Sequence, residues 1–419
     1  MKMTSRFAMV AAAGVLLGAA VTSAKAADLG GGCCADLEER VAELEATTAR
    51  KGNRVVSLQV YGQVNKALLI FDDGVDSDAY IVDNDYSGSR VGFTGKASLK
   101  PGWSAGFLVE LDIQDSASDK VDNGGRAVLF DEGNDNEIAI RYSNVYVESE
   151  KFGRVTLGQG STAADGVNEV VLGNSLRNSD IQTGNNFTVR DGGAGFSQLQ
   201  LKELAANFDG GRDDLIRYDS PSIYGFIVSA SWGDDDYYDV ALRFKKEWNS
   251  IRIAAAAAYQ VDQSNDGSTT AVSVLNDDFT VLSGSISVMH IPTGIYGAFA
   301  IAEKEVEDSD VSASFWYAQL GIEKKVLSYG STTVYAEYGK YDDVATVSDS
   351  DDDGIGPDLA FASSEAERWG FGVVQKFDSA ALELYAQATF WSFDATLVNG
   401  EAQDLEDIST IMIGSRIKF

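Results

Sequence analysis

Histidine is almost missing from this chain of 419 residues, in which His290 stands alone. A single histidine removes multi-histidine metal sites, and only His290 could supply a Ser-His-Asp arrangement. It lies in Met289-His290-Ile291-Pro292, beside a turn, where a strand-end residue needs no catalytic role. Proline is nearly as scarce, with four residues against 42 glycines. Proline cannot donate a ladder hydrogen bond, so its scarcity suits long uninterrupted strands, while glycine suits turns and bends. Positive charge is also short: 33 Lys and Arg face 64 Asp and Glu, a net charge of −31, which argues against a nucleic-acid partner. After the first residues no stretch has eighteen consecutive apolar residues, so no helix is expected to cross a membrane. The two cysteines are adjacent, Cys33-Cys34. A disulfide between neighbours is strained, which leaves free thiols or pairing across chains.

What is present begins with an export signal. Lys2 and Arg6 precede an apolar run from Ala8 to Val21, and Ala24-Lys25-Ala26 fits a cleavage site. Cleavage after residue 26 leaves a mature start of Ala27-Asp28. An exported chain without an apolar helix can still span a membrane if every backbone group pairs within a closed sheet.

From residue 55 onward the sequence keeps a beat. Sixteen strand-like runs of about ten residues alternate in polarity, and strands of about that length cross a bilayer when tilted. In the first, Val56, Leu58, Val60 and Val64 alternate with Ser57, Gln59, Tyr61 and Gln63. Seven tight turns join pairs of runs, among them Lys100-Pro101-Gly102, Lys151-Phe152-Gly153 and Pro292-Thr293-Gly294. Eight longer connections alternate with the turns: 71–88, 115–137, 160–212, 233–237, 262–277, 305–313, 342–364 and 394–407. Even strand number with all long connections on one side predicts an all-β, antiparallel, sixteen-stranded transmembrane barrel occupying 55–419.

The connections are acidic. That at 71–88 carries Asp72, Asp73, Asp76, Asp78, Asp83 and Asp85 without a Lys or Arg, and that at 342–364 carries Asp349, Asp351, Asp352, Asp353 and Asp358. Solvated surface is the plain reading, since the spacing of a dedicated calcium loop is not met. Divalent bridging to anionic lipopolysaccharide is the sharper one. The connection 160–212 exceeds what a structureless surface loop usually spans, and it carries Val167, Val170, Val171, Leu172, Phe187, Phe196, Leu199, Leu201 and Leu204. It is expected to fold back into the lumen and narrow it.

Residues 27–54 differ from the rest. Asp36 and Glu39 form a capping box, and Leu37, Val41, Leu44 and Thr48 follow 4-3-4 spacing before Gly52. A short helix is expected there, lying near the barrel or joining a small trimeric bundle.

These residues together resemble a family. Val56-Ser57-Leu58-Gln59-Val60-Tyr61-Gly62-Gln63-Val64-Asn65-Lys66-Ala67, Ser89-Arg90-Val91-Gly92-Phe93-Thr94-Gly95, Phe152-Gly153-Arg154-Val155-Thr156-Leu157-Gly158-Gln159 and Ile216-Arg217-Tyr218-Asp219-Ser220-Pro221 are similar to strands of the general diffusion porins of Gram-negative outer membranes, most closely their alphaproteobacterial branch. Cys33-Cys34-Ala35-Asp36-Leu37-Glu38-Glu39-Arg40 resembles a leader of that branch. Ser415-Arg416-Ile417-Lys418-Phe419 resembles the terminal signal, ending on Phe419, that barrel-assembly machinery reads. The resemblance implies an outer-membrane homotrimer with the third long loop inside the barrel and the second, 115–137, latched onto a neighbour. It also raises attachment of Ala27 to peptidoglycan, as in relatives with an Ala-Asp start, and residues 27–54 would then form a periplasmic tether.

A diffusion pore needs no cofactor, no metal and no reaction chemistry, only a wet lumen, a steric limit and a local field. Alternation places Arg90, Lys96, Arg154, Arg217, Arg243, Lys245, Arg252, Arg368, Lys376, Arg416 and Lys418 inside, with Glu110, Asp112 and Glu383. A basic side chain facing lipid at mid-bilayer would cost roughly 2–4 kcal/mol, which supports that assignment. Asp165, Glu169, Asp180 and Asp191 of the long loop are the candidates for the opposite side of the constriction. Trp103, Trp232, Trp248, Tyr259, Trp369 and Phe393 are expected in interfacial girdles. The functional reading is a passive pore for small hydrophilic solutes and ions. A substrate-selective channel and a tether to the cell wall are its rivals, and a barrel enzyme is disfavoured by the lone His290. Acidic mouths favour cations and an arginine-rich constriction favours anions, so the sign of selectivity stays open.

Overall fold

The computed structural model describes residues 56–124, 138–193, 195–234, 236–263, 278–306, 312–346 and 361–419. The expected export signal, Ala27, both cysteines, the helix within 27–54, the aspartates at 349–358 and most of the second loop lie outside the described residues.

Sixteen strands build the barrel: β1 (Ser57–Asp72), β3 (Arg90–Lys100), β4 (Trp103–Asp112), β5 (Ala139–Ser149), β6 (Gly153–Ser161), β9 (Arg212–Asp219), β10 (Phe226–Gly233), β11 (Tyr238–Trp248), β12 (Ile251–Asp262), β13 (Phe279–His290), β14 (Ile295–Val306), β15 (Ser312–Leu327), β16 (Gly330–Asp342), β17 (Phe361–Phe377), β18 (Leu382–Leu397) and β20 (Ile408–Lys418). Each pairs antiparallel with the next, and β20 returns to β1 over Gln63–Asp72 and Ser409–Lys418. Closure leaves no edge strand, the condition for crossing lipid with sheet.

Four short strands were not legible as such. The first connection holds β2 (Ser77–Asp83), which pairs with the upper half of β1, while β3 takes only its lower half. Runs of aspartate on both sides of Ala79-Tyr80-Ile81-Val82 hide that hairpin. The other three are β7 (Thr188–Arg190), β8 (Phe196–Gln200) and β19 (Ala402–Gln403).

The tight turns need unusual backbone. Gly294 has φ +74°, and a side chain there would run into the carbonyl of Glu323 on the neighbouring hairpin. His290, at the same turn, bonds through Nδ1 to the Thr293 hydroxyl at 2.8 Å.

Outward positions are apolar and exposed, as in Val145, Leu157, Ile216, Val240, Leu282, Leu320 and Val334, so the wall presents hydrocarbon to lipid. Trp232, Trp248, Tyr259 and Trp369 are exposed as expected for girdles. Phe393 is not: it lies on the inward register of β18 with Trp391, buried and stacked on it at 6.3 Å.

The hydrophobic core therefore sits inside the barrel, under the third loop. Ile181, Phe187, Val189, Leu199, Leu201 and Leu204 of that loop are buried against Leu69, Phe71, Tyr341 and Trp391 of the wall. A fully buried side chain of this size contributes about 1.5–3 kcal/mol, enough in sum to hold the loop against the wall. Elsewhere on the inner wall, tyrosine rings lie over glycines of an adjacent strand: Tyr61 on Gly92, Tyr146 on Gly106, Tyr296 on Gly321, Tyr335 on Gly372 and Tyr385 on Gly414. At those positions an added Cβ would strike the ring.

Barrel closure has its own glycine. Gly62 and Phe419 exchange two backbone hydrogen bonds of 3.0 Å, and the Phe419 ring covers the Gly62 Cα. A Cβ at Gly62 would lie 2.6 Å from the Arg90 carbonyl. Gly62→Val is expected to lower the yield of folded barrel several-fold, read as loss of the heat-modifiable band on a semi-native gel.

Candidate functional site in the lumen

Between β6 and β9 the chain leaves the wall and crosses the lumen. Its first amides are caught by β10 and β11: Ala163 N donates to Ser231 Oγ at 2.9 Å and Ala164 N to Asp239 Oδ2 at 2.6 Å. Alternate amides then seat on hydroxyls of β13, Val170 N on Ser285 Oγ at 3.4 Å and Leu172 N on Ser287 Oγ at 3.1 Å. Asn174 N reaches Glu323 Oε2 of β15 at 3.1 Å. Serines at every second residue of one strand thus grip an extended segment, because both repeat with period two.

Further along, two arginines fasten the loop. Arg368 of β17 donates from Nη1 to the Asp180 carbonyl at 2.8 Å and from Nη2 to the Asn178 carbonyl at 2.9 Å. Arg177, in the loop, faces Glu337 of β16 at 3.1 Å and donates to Thr389 Oγ1 of β18 at 2.6 Å. The Arg177 Nε–H is close enough to pair in charge with Glu337 but is angled away from a hydrogen bond. The second Glu337 oxygen accepts from Tyr317 Oη at 2.8 Å. The Arg177, Glu337 and Arg368 side chains are at most 3% exposed, so two guanidinium groups share one buried carboxylate.

A second group of arginines lies on β3, β5, β9 and β11. Glu110 of β4 accepts from Arg141 Nε at 3.0 Å and from Tyr61 Oη at 2.7 Å, with Arg90 at 3.8 Å. Arg141 also reaches Asp112 at 3.3 Å. Arg217 pairs with Asp219 at 2.8 Å and donates to the Thr162 carbonyl at 2.7 Å, fixing the point where the loop departs. Arg243 donates to the Asp165 carbonyl at 2.8 Å. Arg212 lies with its guanidinium 5.7 Å from the Tyr142 ring centre.

The carboxylates facing these arginines come from loops. Asp165 lies in the field of Arg212, Arg217 and Arg243, and Asp180 in that of Arg368 and Arg212. Glu169 and Asp209 stand beside them, and Asp85 and Asp119 come from the first two connections. Burial raises all six above the ordinary carboxylate range. Asp119 is pushed to about 7 by burial and then by Asp85. Asp209 reaches about 7 by burial and by Asp165, although the amides of Gly166 and Asn168 pull it back. A raised folded pKa means that the folded protein holds more protons than the unfolded chain between the ordinary carboxylate pKa and about 7. The associated stability is present in acid and is lost as pH rises through that window. Between pH 6 and 8 the constriction should gain negative charge. Cation permeability measured by reversal potential should rise with pH, and the unfolding midpoint should fall.

The remaining candidates scatter. Lys96 pairs with Glu148 at 3.0 Å near the tight-turn end, and Arg252 pairs with Glu247 at 3.0 Å beside a turn. Arg154 stacks on the Tyr146 ring at 3.5 Å. Arg416 is buried against Glu383, with Nε at 2.6 Å. Arg368, expected to face water, is covered completely because the loop lies on it. Asp191, expected at the constriction, caps the β7–β8 turn through the amides of Gly193 and Gly195 and bridges to Leu405.

Arg141, Arg212, Arg177, Asp209, Asp85 and Asp119 were not anticipated. Arg141 sits at a bulge, where Glu110 pairs with Tyr142 and Leu111 with Ile140, so strict alternation assigns it to the lipid side. The loop residues carry no period that would mark them.

Residues 8–396 match the family model for Gram-negative porins. Three solved structures share the fold at low identity. A loop L8 deletion mutant of OmpT, an outer membrane protein of Vibrio cholerae, is 15% identical, covering 87% of this chain and 100% of that one, with a TM-score of 0.55. An anion-selective porin from Comamonas acidovorans is 16% identical over 87% of this chain and 100% of that one, TM-score 0.54. OmpF of Salmonella typhi, in complex with daunomycin, is 12% identical over 87% and 98%, TM-score 0.51. A sequence comparison with curated proteins returns no match.

Proposed function

The chain belongs to the Gram-negative porin family, and from that premise we propose that its lumen passes small hydrophilic solutes and ions by passive diffusion, sorted by a transverse field between the arginine wall and the loop carboxylates. The protein is an outer-membrane β-barrel channel. The observation that supports the finer reading is the cluster of charge around one loop carboxylate: Asp165 lies in the field of Arg212, Arg217 and Arg243. A field of this kind turns dipolar solutes as they pass and penalises bulky apolar ones. Arg90, Arg141, Arg212, Arg217 and Arg243 form one side of the constriction in this reading, with Asp165, Glu169, Asp180 and Asp209 forming the other. The purified protein in a planar bilayer should give stepwise, ohmic conductance in 1 M salt and a non-zero reversal potential in a salt gradient. Saturable conductance blocked by a single solute would instead favour a substrate-selective channel.

Assembly as a homotrimer has its own support. Lys66 shares the outward register of β1 with the exposed Val64 and Leu68. It pairs with Asp83 at 2.7 Å and also with Asp115. Charges on a lipid-facing wall cost roughly 2–4 kcal/mol at mid-bilayer, so this face is better covered by another subunit. OmpT of Vibrio cholerae, a neighbour in fold, is described in a trimer form. Lys66→Glu should convert oligomer to monomer on a semi-native gel, and an unchanged oligomer would remove this face from the contact.

A further inference from the structure

The two ends of the lumen differ in charge. At the tight-turn end Lys376, Arg416 and Lys418 converge on one carboxylate, Glu383, at 3.8, 2.5 and 3.8 Å. At the same end, Lys245 near the end of β11 and Arg154 near the start of β6 have no carboxylate within 4 Å among the described residues, and Arg154 rests on Tyr146 instead. At the loop end the sign reverses. Asp76, Asp78, Asp234 and Asp236 are exposed, with no cation within 4 Å among the described residues. The loop that narrows the lumen lies between the two zones, gripped by Ser285 and Ser287.

We propose that this axial charge reversal makes the pore rectify ionic current. With fixed negative charge at one end and positive charge at the other, each end concentrates its own counter-ion. A voltage that drives cations in from the acidic end and anions in from the basic end fills the constriction with both carriers. The opposite voltage empties it. Current is therefore larger when the loop side is positive. The inference rests on the pore reading above but concerns the direction of flow, not its existence.

Screening sets the conditions of the test, because fixed charges reach about 30 Å at 0.01 M salt and about 3 Å at 1 M. The experiment is a single-channel current–voltage curve of the full-length protein in symmetric KCl at both concentrations. The expected result is a ratio of currents at opposite voltages of about two or more in the dilute salt, falling to one in the concentrated salt. The triple variant Lys245→Gln, Lys376→Gln, Lys418→Gln should bring the dilute-salt ratio to one while leaving the 1 M conductance near that of the unmodified channel. Asp234→Asn with Asp236→Asn should weaken the ratio from the other end, which keeps the test valid if the lysine variant does not fold. A straight curve at low salt, or a ratio unchanged in both variants, overturns the inference and leaves the pore intact. No conductance in 1 M salt overturns the pore reading itself, and this inference with it.

Discussion

Glu337→Ala is expected to release the third loop, raise single-channel conductance with added flicker, and lower stability by about 3–5 kcal/mol, the range seen when one partner of a buried ion pair is removed. Among the described residues, Glu337 is the one carboxylate within 4 Å of both buried guanidinium groups, Arg177 at 3.1 Å and Arg368 at 3.9 Å. Without it, two positive charges are left facing each other beneath the loop. The cheapest escape is for Arg177 to swing out to water, and it takes the loop with it. Arg368 would then lose its grip on the carbonyls of Asn178 and Asp180. Glu337→Gln keeps an acceptor for Tyr317 but not the charge, so it should fall between the alanine variant and the unmodified protein. Conductance traces and a urea unfolding midpoint measure both effects. An alanine variant that matches the unmodified protein in both would show that the latch carries no energy.

The second large effect is on ion preference. Arg212 and Arg243 form no ion pair within 4 Å among the described residues, so in the proposed reading no partner at that distance neutralises their charge. A unit charge about 6 Å from a passing ion in water contributes about 0.7 kcal/mol, roughly three-fold in relative permeability. Arg212→Gln with Arg243→Gln should therefore move the cation-to-anion permeability ratio toward cations by about ten-fold in dilute salt. Asp165→Asn with Asp180→Asn should move it toward anions. The reversal potential in a salt gradient reads both. Shifts of the same sign in the two variants would mean that the opposed charges do not act as a pair.

The barrel was legible because its physics is periodic. Alternation with period two and turns such as Lys100-Pro101-Gly102 mark out sixteen strands, the number the barrel has. The long third connection was legible by length and apolar content, and its Phe187, Leu199, Leu201 and Leu204 are indeed buried within the barrel. The constriction was less so. A bulge puts Arg141 on the side opposite to the one strict alternation gives, and no local pattern marks Arg177, whose guanidinium lies 3.1 Å from Glu337. Arg368 lies covered beneath the loop, and coverage depends on a path that no local pattern specifies. Sheet registers are local and repeating, whereas a loop's course is settled by contacts such as Ser118 O with Gly184 N that join residues far apart in sequence.

The tyrosines lying on glycines act as a proofreading code for strand alignment. When β18 and β20 slide by one residue, Tyr385 no longer meets Gly414 and its ring points to the other face. A slide of two sets the ring against Met412 or Arg416, which have no room for it. Backbone hydrogen bonds tolerate a shifted ladder, but a lock and its key do not. Each of the pairs on Gly92, Gly106, Gly321, Gly372 and Gly414 therefore inspects its own seam, and a barrel zipped out of step would be rejected at up to five places before its last strand meets its first.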